Sequence, residues 1–393
     1  MTEALIVGAG PAGSIAALCL ARAGVRVRLL DRASFPRPKL CGDTLNPGSL
    51  ALLERLGVDA KIRRDALPIT GMMVTGPAGA AVAADYPAPL YGLSLARHDL
   101  DMTLVEAAVA EGVTFDPGAT VQAPALSSDG TRVVGVRLVQ RGQQRTLHSQ
   151  VVIAADGRAS RLASSLRLSR FADSPKRWAY GAYFEGVGGL SSRGEMHIRG
   201  DGYIGVAPVP GGVANVCVVK TPDVIVSTEP HKKTHPVPYD QVIEKAIASD
   251  HALRDRFVRA RRVSAVTVLG PLAVDARAAG HPGLLLAGDA AGFVDPMTGD
   301  GMRFALRGGE LAARSALREL ESGTPAYEAL AVDRAREFSG KWRINRALRA
   351  LVGSPRALEL AAVVARHWTA PVEYLVGVAG DISLANPRCR STS

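Results

Sequence analysis

Cysteine is scarce in this chain, whose 393 residues contain only four: Cys19, Cys41, Cys217 and Cys389. No two of them form a C-x-x-C pair, and no cluster of histidine and cysteine has the spacing of a zinc site, so we expect no metal centre. A chain of this size does not need a disulfide framework. The cysteine content therefore fits a reducing cytoplasm.

Aromatic residues are also few, at 5% of the chain. The formal net charge is +10, a value that can indicate a nucleic acid partner. The arginines, however, are scattered and do not alternate with aromatic residues, as a surface that stacks on bases would require. We therefore expect no nucleic acid partner.

The chain lacks an uninterrupted hydrophobic run that could cross a membrane. Residues 4–21 carry no charge, but glycine and proline interrupt them, and the pattern is typical of a strand, a tight turn and a helix. No basic segment precedes them as in a secretion signal. The length favours two structural domains, and 47% hydrophobic with 21% charged residues is typical of a soluble globular protein.

A glycine-rich turn follows the first apolar segment and has the form G-x-G-x-x-G. It contains Gly8, Gly10, Pro11, Ala12 and Gly13. Such a turn lets the backbone approach a pyrophosphate, and the helix that follows presents free N–H groups to it. Asp31 ends the second strand 18 residues after Gly13, where its carboxylate can accept hydrogen bonds from ribose hydroxyls. The segment predicts a dinucleotide site.

A second glycine-bearing segment lies far downstream and selects the cofactor. An apolar strand leads into Gly288 and Asp289, where a carboxylate can hold the hydroxyls of a ribityl chain, which NAD lacks. Residues 298–302, which include Gly299, Asp300, Gly301 and Met302, then open a long helix. The N–H groups of that helix can face the electron-rich edge of a flavin. The two segments together predict FAD.

The order of elements predicts an α/β protein, α+β overall, with a Rossmann-like FAD-binding domain, an antiparallel sheet domain for the substrate and a helical C-terminal region. The expected ranges are 1–70, 91–177 and 276–330 for the first domain, 71–90 and 178–275 for the second, and 331–393 for the C-terminal region. Other expectations are single strands at 145–153 and 262–269 and an exposed loop at 221–238.

These segments resemble the FAD-dependent oxidoreductases of the p-hydroxybenzoate hydroxylase fold, and within that fold the geranylgeranyl reductase family. The likeness spans roughly residues 1–325 and includes 39–43, Arg97, 156–157 and 288–302. It implies that Asp31 with Arg32 binds the adenosine ribose, that Arg97 reaches the ribose or pyrophosphate, and that Asp289 holds the ribityl-phosphate region. It also places Asp156 at the cofactor, 299–302 along the flavin ring, and Cys41, Gly42 and Asp43 near that ring.

The resemblance makes Cys41 a candidate catalytic thiol, with an inert residue packed against flavin as the alternative. Tyr203 is the candidate on the substrate face, but it lacks the Trp and Phe of the family's G-x-Y-x-W-x-F-P strand. That leaves more room than a slender prenyl chain needs. The W-x-W-x-I-P motif of flavin halogenases is absent, so we do not expect halogenation. Ala163 replaces an arginine that related hydroxylases use with NADPH.

The main functional prediction is an FAD-dependent oxidoreductase that reduces a C=C bond in an apolar, isoprenoid- or polyketide-like molecule, with hydride from N5 of reduced flavin. The first alternative is a monooxygenase (hydroxylase or epoxidase) acting through a flavin C4a-hydroperoxide. The second is a non-catalytic prenyl-binding protein. NADPH, NADH or an electron-donor protein is the expected reductant. A solvated face is favoured over peripheral membrane contact for the basic and apolar residues at 334–356.

Overall fold

A mostly parallel sheet forms the centre of the structure, a computed structural model that describes residues 2–173, 176–221, 224–225, 235–236 and 238–382. Its four central strands are completely or largely buried, as expected for a sheet covered on both faces, whereas the two edge strands are more exposed. In spatial order they are Gly280–His281, Leu284–Leu286, Val151–Ala154, Ala4–Val7, Val27–Asp31 and Thr114–Pro117. Only the first pair is antiparallel among these described strands.

Helices cover this sheet, and two of them approach each other very closely. Helix Pro11–Arg22 follows the first strand and packs against helix Gly301–Ser322. A Cβ atom at Gly309 would overlap the carbonyl oxygen of Ala12, so glycine permits this approach. The remaining helices of this part are Pro47–Arg55, Asp59–Asp65, Arg97–Ala110 and Arg161–Ser165, with 3-10 turns at Gly288–Ala291 and Pro296–Thr298.

A second large sheet is mostly antiparallel, as the sequence predicts for residues 178–219. Its spatial order is Arg261–Arg262, Trp178–Glu185, Val213–Lys220, Gly202–Val209, Arg193–Arg199, Gly71–Thr75 and Ala81–Asp85, and Thr267–Leu269 also pairs with Trp178–Glu185. Strand Gly71–Thr75 joins in parallel. The strands expected within 71–90 thus pair with this sheet, whereas the domain boundaries themselves stay a prediction. Helix Tyr239–Ser249 packs on its outer face, near the 3-10 turn Arg254–Phe257.

Smaller sheets complete the strand inventory. An antiparallel meander contains Thr120–Leu126, Val133–Gln140 and Gln143–His148. A second three-stranded sheet contains, in spatial order, Thr44–Leu45, Gly92–Ser94 and Leu67–Ile69. Two further sheets have two strands each: Ser169–Phe171 pairs with Val274–Ala276, and Val224–Ile225 pairs with His235–Pro236.

Two single strands expected from the sequence are each divided in the structure. The stretch 145–153 passes from the meander to the parallel sheet between residues 149 and 150. The Ser149 N–H donates to the carbonyl of Val134, beside the meander, whereas the Gln150 N–H donates to the carbonyl of Glu3, beside the parallel sheet. The stretch 262–269 is interrupted where the Ser264 hydroxyl, instead of a backbone carbonyl, accepts from Tyr183 N–H. The expected loop at 221–238 and Cys389 lie mostly or wholly outside the described residues.

The C-terminal region is helical over the residues that the structure describes. The helices are Tyr327–Val352, Pro355–His367 and Ala370–Gly380, and a short 3-10 turn at Pro77–Gly79 packs against the second of them. In the described ranges, no helix combines the length and the apolar character needed to span a bilayer.

Candidate active site

A cavity of about 560 Å³ lies at the carboxyl ends of the parallel strands and extends to one face of the large antiparallel sheet. Ligands of open α/β sheets bind at this edge. Most of the site residues predicted from the sequence line it: Gly8, Gly10, Pro11, Ala12, Asp31, Arg32, Cys41, Gly42, Arg97, Asp156, Gly288, Asp289, Gly299, Gly301 and Met302. Segments near residues 10, 40, 97, 156 and 289 are therefore brought together.

Four predicted site residues do not line this cavity. Gly13 lies against the strand, where a Cβ atom would overlap the carbonyl oxygen of Gly8. Asp43 is buried behind the cavity wall, and Asp300 pairs with Lys341. Tyr203 is buried, and its hydroxyl donates to Asp295 at 2.6 Å. The expected roles of these residues in binding or catalysis stay predictions.

The glycine turn places two cations beside its central glycine. Gly8 has φ +99°, and a Cβ atom there would overlap the carbonyl of Ala155, so this glycine serves the backbone. A Cβ atom at Gly10 would lie 3.6 Å from Arg37 Nη2 and 4.0 Å from Arg97 Nη2. The backbone at Gly10 is thus open toward two guanidinium groups. This arrangement suits the pyrophosphate of a dinucleotide.

Buried carboxylates hold these cations in place. Asp101 accepts a bidentate pair of hydrogen bonds from Arg97, at 2.8 and 2.9 Å, and lies 3.4 Å from Arg37. Asp31 accepts from the N–H groups of Ala9 at 2.9 Å and Ala33 at 2.8 Å. Each Asp31 oxygen retains a lone pair, so ribose hydroxyls can still bind there.

Two basic residues also line the cavity, Arg37 and Lys39, which were not predicted as site residues from the sequence. Burial lowers the pKa of the Lys39 ammonium, an effect opposed by the charge of Asp289 and reinforced by Arg97. Burial likewise raises the pKa of Asp289, against the fields of Lys39 and Arg97. Several cations therefore share a short stretch of cavity with one carboxylate. The charged, proline-rich loop at 32–46 was the available signal.

The opposite end of the cavity is apolar. It is lined by Leu40, Ala179, Cys217, Leu269, Leu272 and Phe293. The strand register places Gly181, Cys217 and Gly205 side by side on the face toward the cavity. A Cβ atom at Gly181 would overlap Leu40, so the glycine lets that leucine lie directly on the sheet. Cys217 is a lining residue that the sequence did not single out.

The two thiols of the cavity are held in their protonated form. Burial raises the pKa of Cys41, although the nearby Arg97 guanidinium opposes this effect. Burial raises the pKa of Cys217 to about 12. Because the thiolate is the reactive form, burial disfavours activation of either thiol as a nucleophile. The catalytic role expected of Cys41 stays a prediction.

A carboxyl group with a pKa near neutrality lies immediately behind Cys41 and Gly42. Burial raises the pKa of Asp43 to about 6, although hydrogen bonds from Tyr183 and Asn215 favour its ionised form. Tyr183 Oη donates to Asp43 Oδ2 at 2.6 Å, and Asn215 Nδ2 donates to the same oxygen at 2.5 Å. Asn215 also donates to the Cys41 carbonyl at 2.7 Å. A group of this kind can exchange a proton near neutral pH.

Asp295 connects the cavity wall to the large sheet. Its Oδ1 accepts from the Tyr203 hydroxyl at 2.6 Å and from Met297 N–H at 3.1 Å, while Oδ2 lies 3.3 Å from Arg177 Nη1. All three side chains are buried. Asp295 therefore fixes the segment 293–299, part of which lines the cavity. No motif in the sequence pointed to this role.

The residues of the cavity fit FAD along its length. The basic end, with the open backbone at Gly10, matches an anionic pyrophosphate, and the apolar end matches a flavin ring and an apolar substrate. Gly299 has φ +70° and open space around it, which allows a flat ring to approach the backbone.

Comparison with known proteins gives a consistent result. A family model described as FAD binding domain matches residues 1–325. The chain is 29% identical over 406 residues to menaquinone reductase of Mycobacterium tuberculosis, covering 97% of this chain and 91% of the relative. It is 30% identical over 331 residues to digeranylgeranylglycerophospholipid reductase 2 of Methanopyrus kandleri, covering 81% and 78%. A solved triple mutant of the flavin-dependent brominase Bmp2 superposes with a TM-score of 0.80 at 18% identity, covering 98% and 96%, which shows a shared fold.

Proposed function

Because this chain belongs to the FAD binding domain family and to its geranylgeranyl reductase branch, we propose that it reduces a C=C bond in an apolar, isoprenoid- or polyketide-like molecule. The chain is an FAD-dependent oxidoreductase. The observation that carries the proposal is the two-ended cavity, whose apolar wall of Leu40, Ala179 and Leu272 continues directly from the basic cofactor end. Menaquinone and digeranylgeranyl lipids, which appear in the names of the two relatives, both carry polyprenyl chains.

In this proposal, the residues that hold the cofactor are those of the basic part of the cavity wall. Gly10, Arg37 and Arg97 would hold the pyrophosphate, and Asp31 would hold the adenosine ribose. Lys39 and Asp289, whose charges interact in the cavity, would hold the ribityl chain. Once bound and reduced, FAD supplies a hydride. The protein orients the substrate beside the ring and excludes water with its apolar wall.

Reduction of a C=C bond also needs a proton, and Asp43 is the group that holds one near the apolar end. Its carboxyl carries a proton in part at neutral pH, because its pKa lies at about 6. The Cys41 thiol stays protonated in the wall between Asp43 and the cavity. In this proposal, Asp43 is the source of the proton that the reduction consumes.

The test uses the FAD-loaded protein, reduced chemically under anaerobic conditions and mixed with geranylgeranyl diphosphate or a short-chain menaquinone. We expect flavin reoxidation together with a product heavier by two hydrogens. Ala179→Leu narrows the apolar end, so it should abolish turnover and leave flavin binding intact, whereas Ala110→Leu on an exposed helix end is the matched control. NADPH, NADH and an electron-donor protein are compared as reductants.

Oxygen use separates this function from a monooxygenase. In air, a reductase forms the same reduced product, with oxygen consumed only by wasteful reoxidation. One oxygen molecule consumed for each substrate molecule, with an oxygen atom in the product, would sink the reductase proposal. A protein that binds prenyl compounds but retains no flavin would overturn the enzyme proposal altogether.

A further inference from the structure

The helix Gly301–Ser322 begins at the cavity, and the residue before it is an aspartate. Gly299, Gly301 and Met302 line the cavity, whereas Asp300 is buried and does not line it. An aspartate at this position commonly caps its own helix by accepting from a backbone N–H group of the first turn. Asp300 makes no such hydrogen bond. Its carboxylate therefore leaves the N–H groups at the start of the helix uncapped.

Lys341 is the residue that binds this carboxylate. Its ammonium donates to Asp300 Oδ1 and, at 3.0 Å, to the carbonyl of Val378. The ammonium also lies 3.1 Å from Asp381 Oδ2, which in turn lies 3.1 Å from Arg303 Nε. The Lys341 side chain is 11% exposed, and the two carboxylates are still more deeply buried. Two cations and two anions thus balance in one buried cluster at the start of the helix.

The helix that carries Lys341 also holds the second turn at the cofactor end. On helix Tyr327–Val352, Arg334 lies seven residues before Lys341 and therefore on the same face. Its Nη2 donates at 2.9 Å to the carbonyl of Ala291, in the 3-10 turn that contains Asp289. One face of this helix thus supports both glycine-bearing turns of the cavity. The helix lies beyond the part of the chain that matches the FAD binding domain.

Stability alone does not explain an ammonium at this buried position. The cost of taking a charge out of water offsets much of its attraction to a carboxylate, so apolar residues of similar volume commonly stabilise a core as well as an ion pair does. Burial raises the pKa of Asp300, and the charge of Lys341 opposes this effect. Lys341 therefore favours an ionised Asp300 whose carboxylate is bound to the ammonium instead of to its own helix.

We propose that Lys341 is a positioning residue for the flavin. By pairing with Asp300, it leaves the N–H groups of the first helical turn, with their positive partial charge, free for the ring. This charge stabilises the anionic reduced ring more than the oxidised ring, so Lys341 raises the reduction potential of bound FAD. The inference rests on the proposed function for the place of the ring beside 299–302, and it holds for any substrate.

The test measures the reduction potential of the FAD-loaded full chain, under anaerobic conditions and against a reference dye, without substrate. A unit charge at about 10 Å changes the ratio of the affinities for oxidised and reduced FAD roughly tenfold, which is about 30 mV for a two-electron couple. Lys341→Met keeps the length of the side chain and should lower the potential by about this amount. Asp300→Asn leaves the ammonium uncompensated and should raise the potential by a similar amount.

A double variant and a matched control separate charge from packing. Lys341→Met combined with Asp300→Asn removes both charges of the pair, so its potential should return to that of the parent. Arg336→Met removes an exposed cation from the same helix and should leave the potential unchanged. Flavin fluorescence shows that FAD is bound in each variant.

Two results overturn the proposal. Potentials that shift in the same direction in both single variants would mean that the substitutions merely loosen the turn. Unchanged potentials would mean that the pair does not act on the ring. Should Lys341→Met fail to fold, the Asp300→Asn variant decides, because a potential that falls or stays the same contradicts the proposal. Since no substrate is present, failure of the reductase function is detected separately, by the absence of reduced product.

Discussion

Replacement of Asp295 by asparagine tests whether one buried carboxylate holds the cavity wall against the large sheet. Asparagine has the same shape, and its Oδ1 can still accept from Tyr203 and from Met297 N–H. The change removes the negative charge that lies 3.3 Å from Arg177. It also places the side-chain amide nitrogen of the asparagine, a hydrogen-bond donor, against the guanidinium group of Arg177, which is a donor as well. The perturbation is thus electrostatic and leaves the packing as it is.

The expected cost follows from burial. Removing one partner of a buried ion pair costs about 3–5 kcal/mol, because the other charge is left uncompensated. Arg177 makes one contact with Asp295, at 3.3 Å and not bidentate, so we expect the lower end, about 3 kcal/mol of unfolding free energy. Tyr203→Phe removes one hydrogen bond to a charged group and should cost about 2 kcal/mol.

Urea unfolding, followed by circular dichroism at a fixed FAD concentration, measures these losses, since bound ligand would otherwise shift the apparent stability. Asp255→Asn, at a site 83% exposed, is the control and should change stability by less than about 0.5 kcal/mol. Because the two side chains share one network, the double variant of Asp295 and Tyr203 should lose less than the sum of the single losses.

A second measurement links the stability loss to the site. Residues Phe293, Pro296 and Gly299 line the cavity, so loosening this segment should also weaken FAD binding, detected by flavin fluorescence. A loss of less than about 1 kcal/mol for Asp295→Asn would refute the reasoning, since it would mean that water or another group compensates Arg177.

Three further predictions concern the glycine turn, Asp43 and the thiols. The variant Gly10→Ala should fold but bind FAD at least roughly tenfold more weakly, because its Cβ atom enters the space expected for the pyrophosphate. The variant Gly13→Ala should fail to fold, because its Cβ atom would overlap the carbonyl oxygen of Gly8. Solubility measures folding, and flavin fluorescence measures FAD binding. Burial raises the pKa of Asp43 from 3.8 to about 6, so the folded chain binds more protons there than the unfolded chain between these values. The stability that Asp43 contributes is therefore full below about pH 4 and falls by about 3 kcal/mol as the pH rises through 6. In the variant Asp43→Asn, the midpoint of urea unfolding should no longer change with pH in this way. The same variant should also lose the inflection near pH 6 in the dependence of turnover on pH. With a pKa of about 12, Cys217 should react with iodoacetamide near pH 8 roughly a thousandfold more slowly than a free cysteine, and Cys41 should also react slowly. Peptide mass spectrometry measures the labelling of each thiol. Rapid labelling of Cys41 would show that the charge of Arg97 lowers the pKa of this thiol more than burial raises it.

The cofactor end could be predicted from the sequence because its determinants are local. The turn at Gly8–Gly13 and the acid at Asp31 belong to one strand–helix–strand unit, and Asp289 ends a strand with its own glycine signature. Each predicted role rests on the chain within a few residues of it. FAD and the mixed α/β fold were predicted correctly on this basis, and both are confirmed.

The cations and the substrate wall could not be predicted in the same way, because they depend on contacts between distant segments. Arg37 and Lys39 lie in a loop without periodicity, and only the fold brings them to Gly10 and Asp289. Asp295 precedes an ordinary turn, and its partners are 92 and 118 residues away in sequence. Strand positions were predictable from alternation, whereas the register that aligns Cys217 with two glycines was not.

That register explains what Tyr203 does in this chain. Two and four residues beyond it, where the family strand has Trp and Phe, stand Gly205 and Ala207, and all three share the face that looks toward the cavity. Around a Cβ atom at Gly205, only two backbone oxygens lie within 4 Å, so nothing crowds the first atom of a side chain beside Cys217. Tyr203 itself is committed to Asp295. A strand that lacks the indole and the phenyl ring presents less bulk on this face than the family strand does, so we expect the protein to accept a substrate broader than a bare prenyl chain.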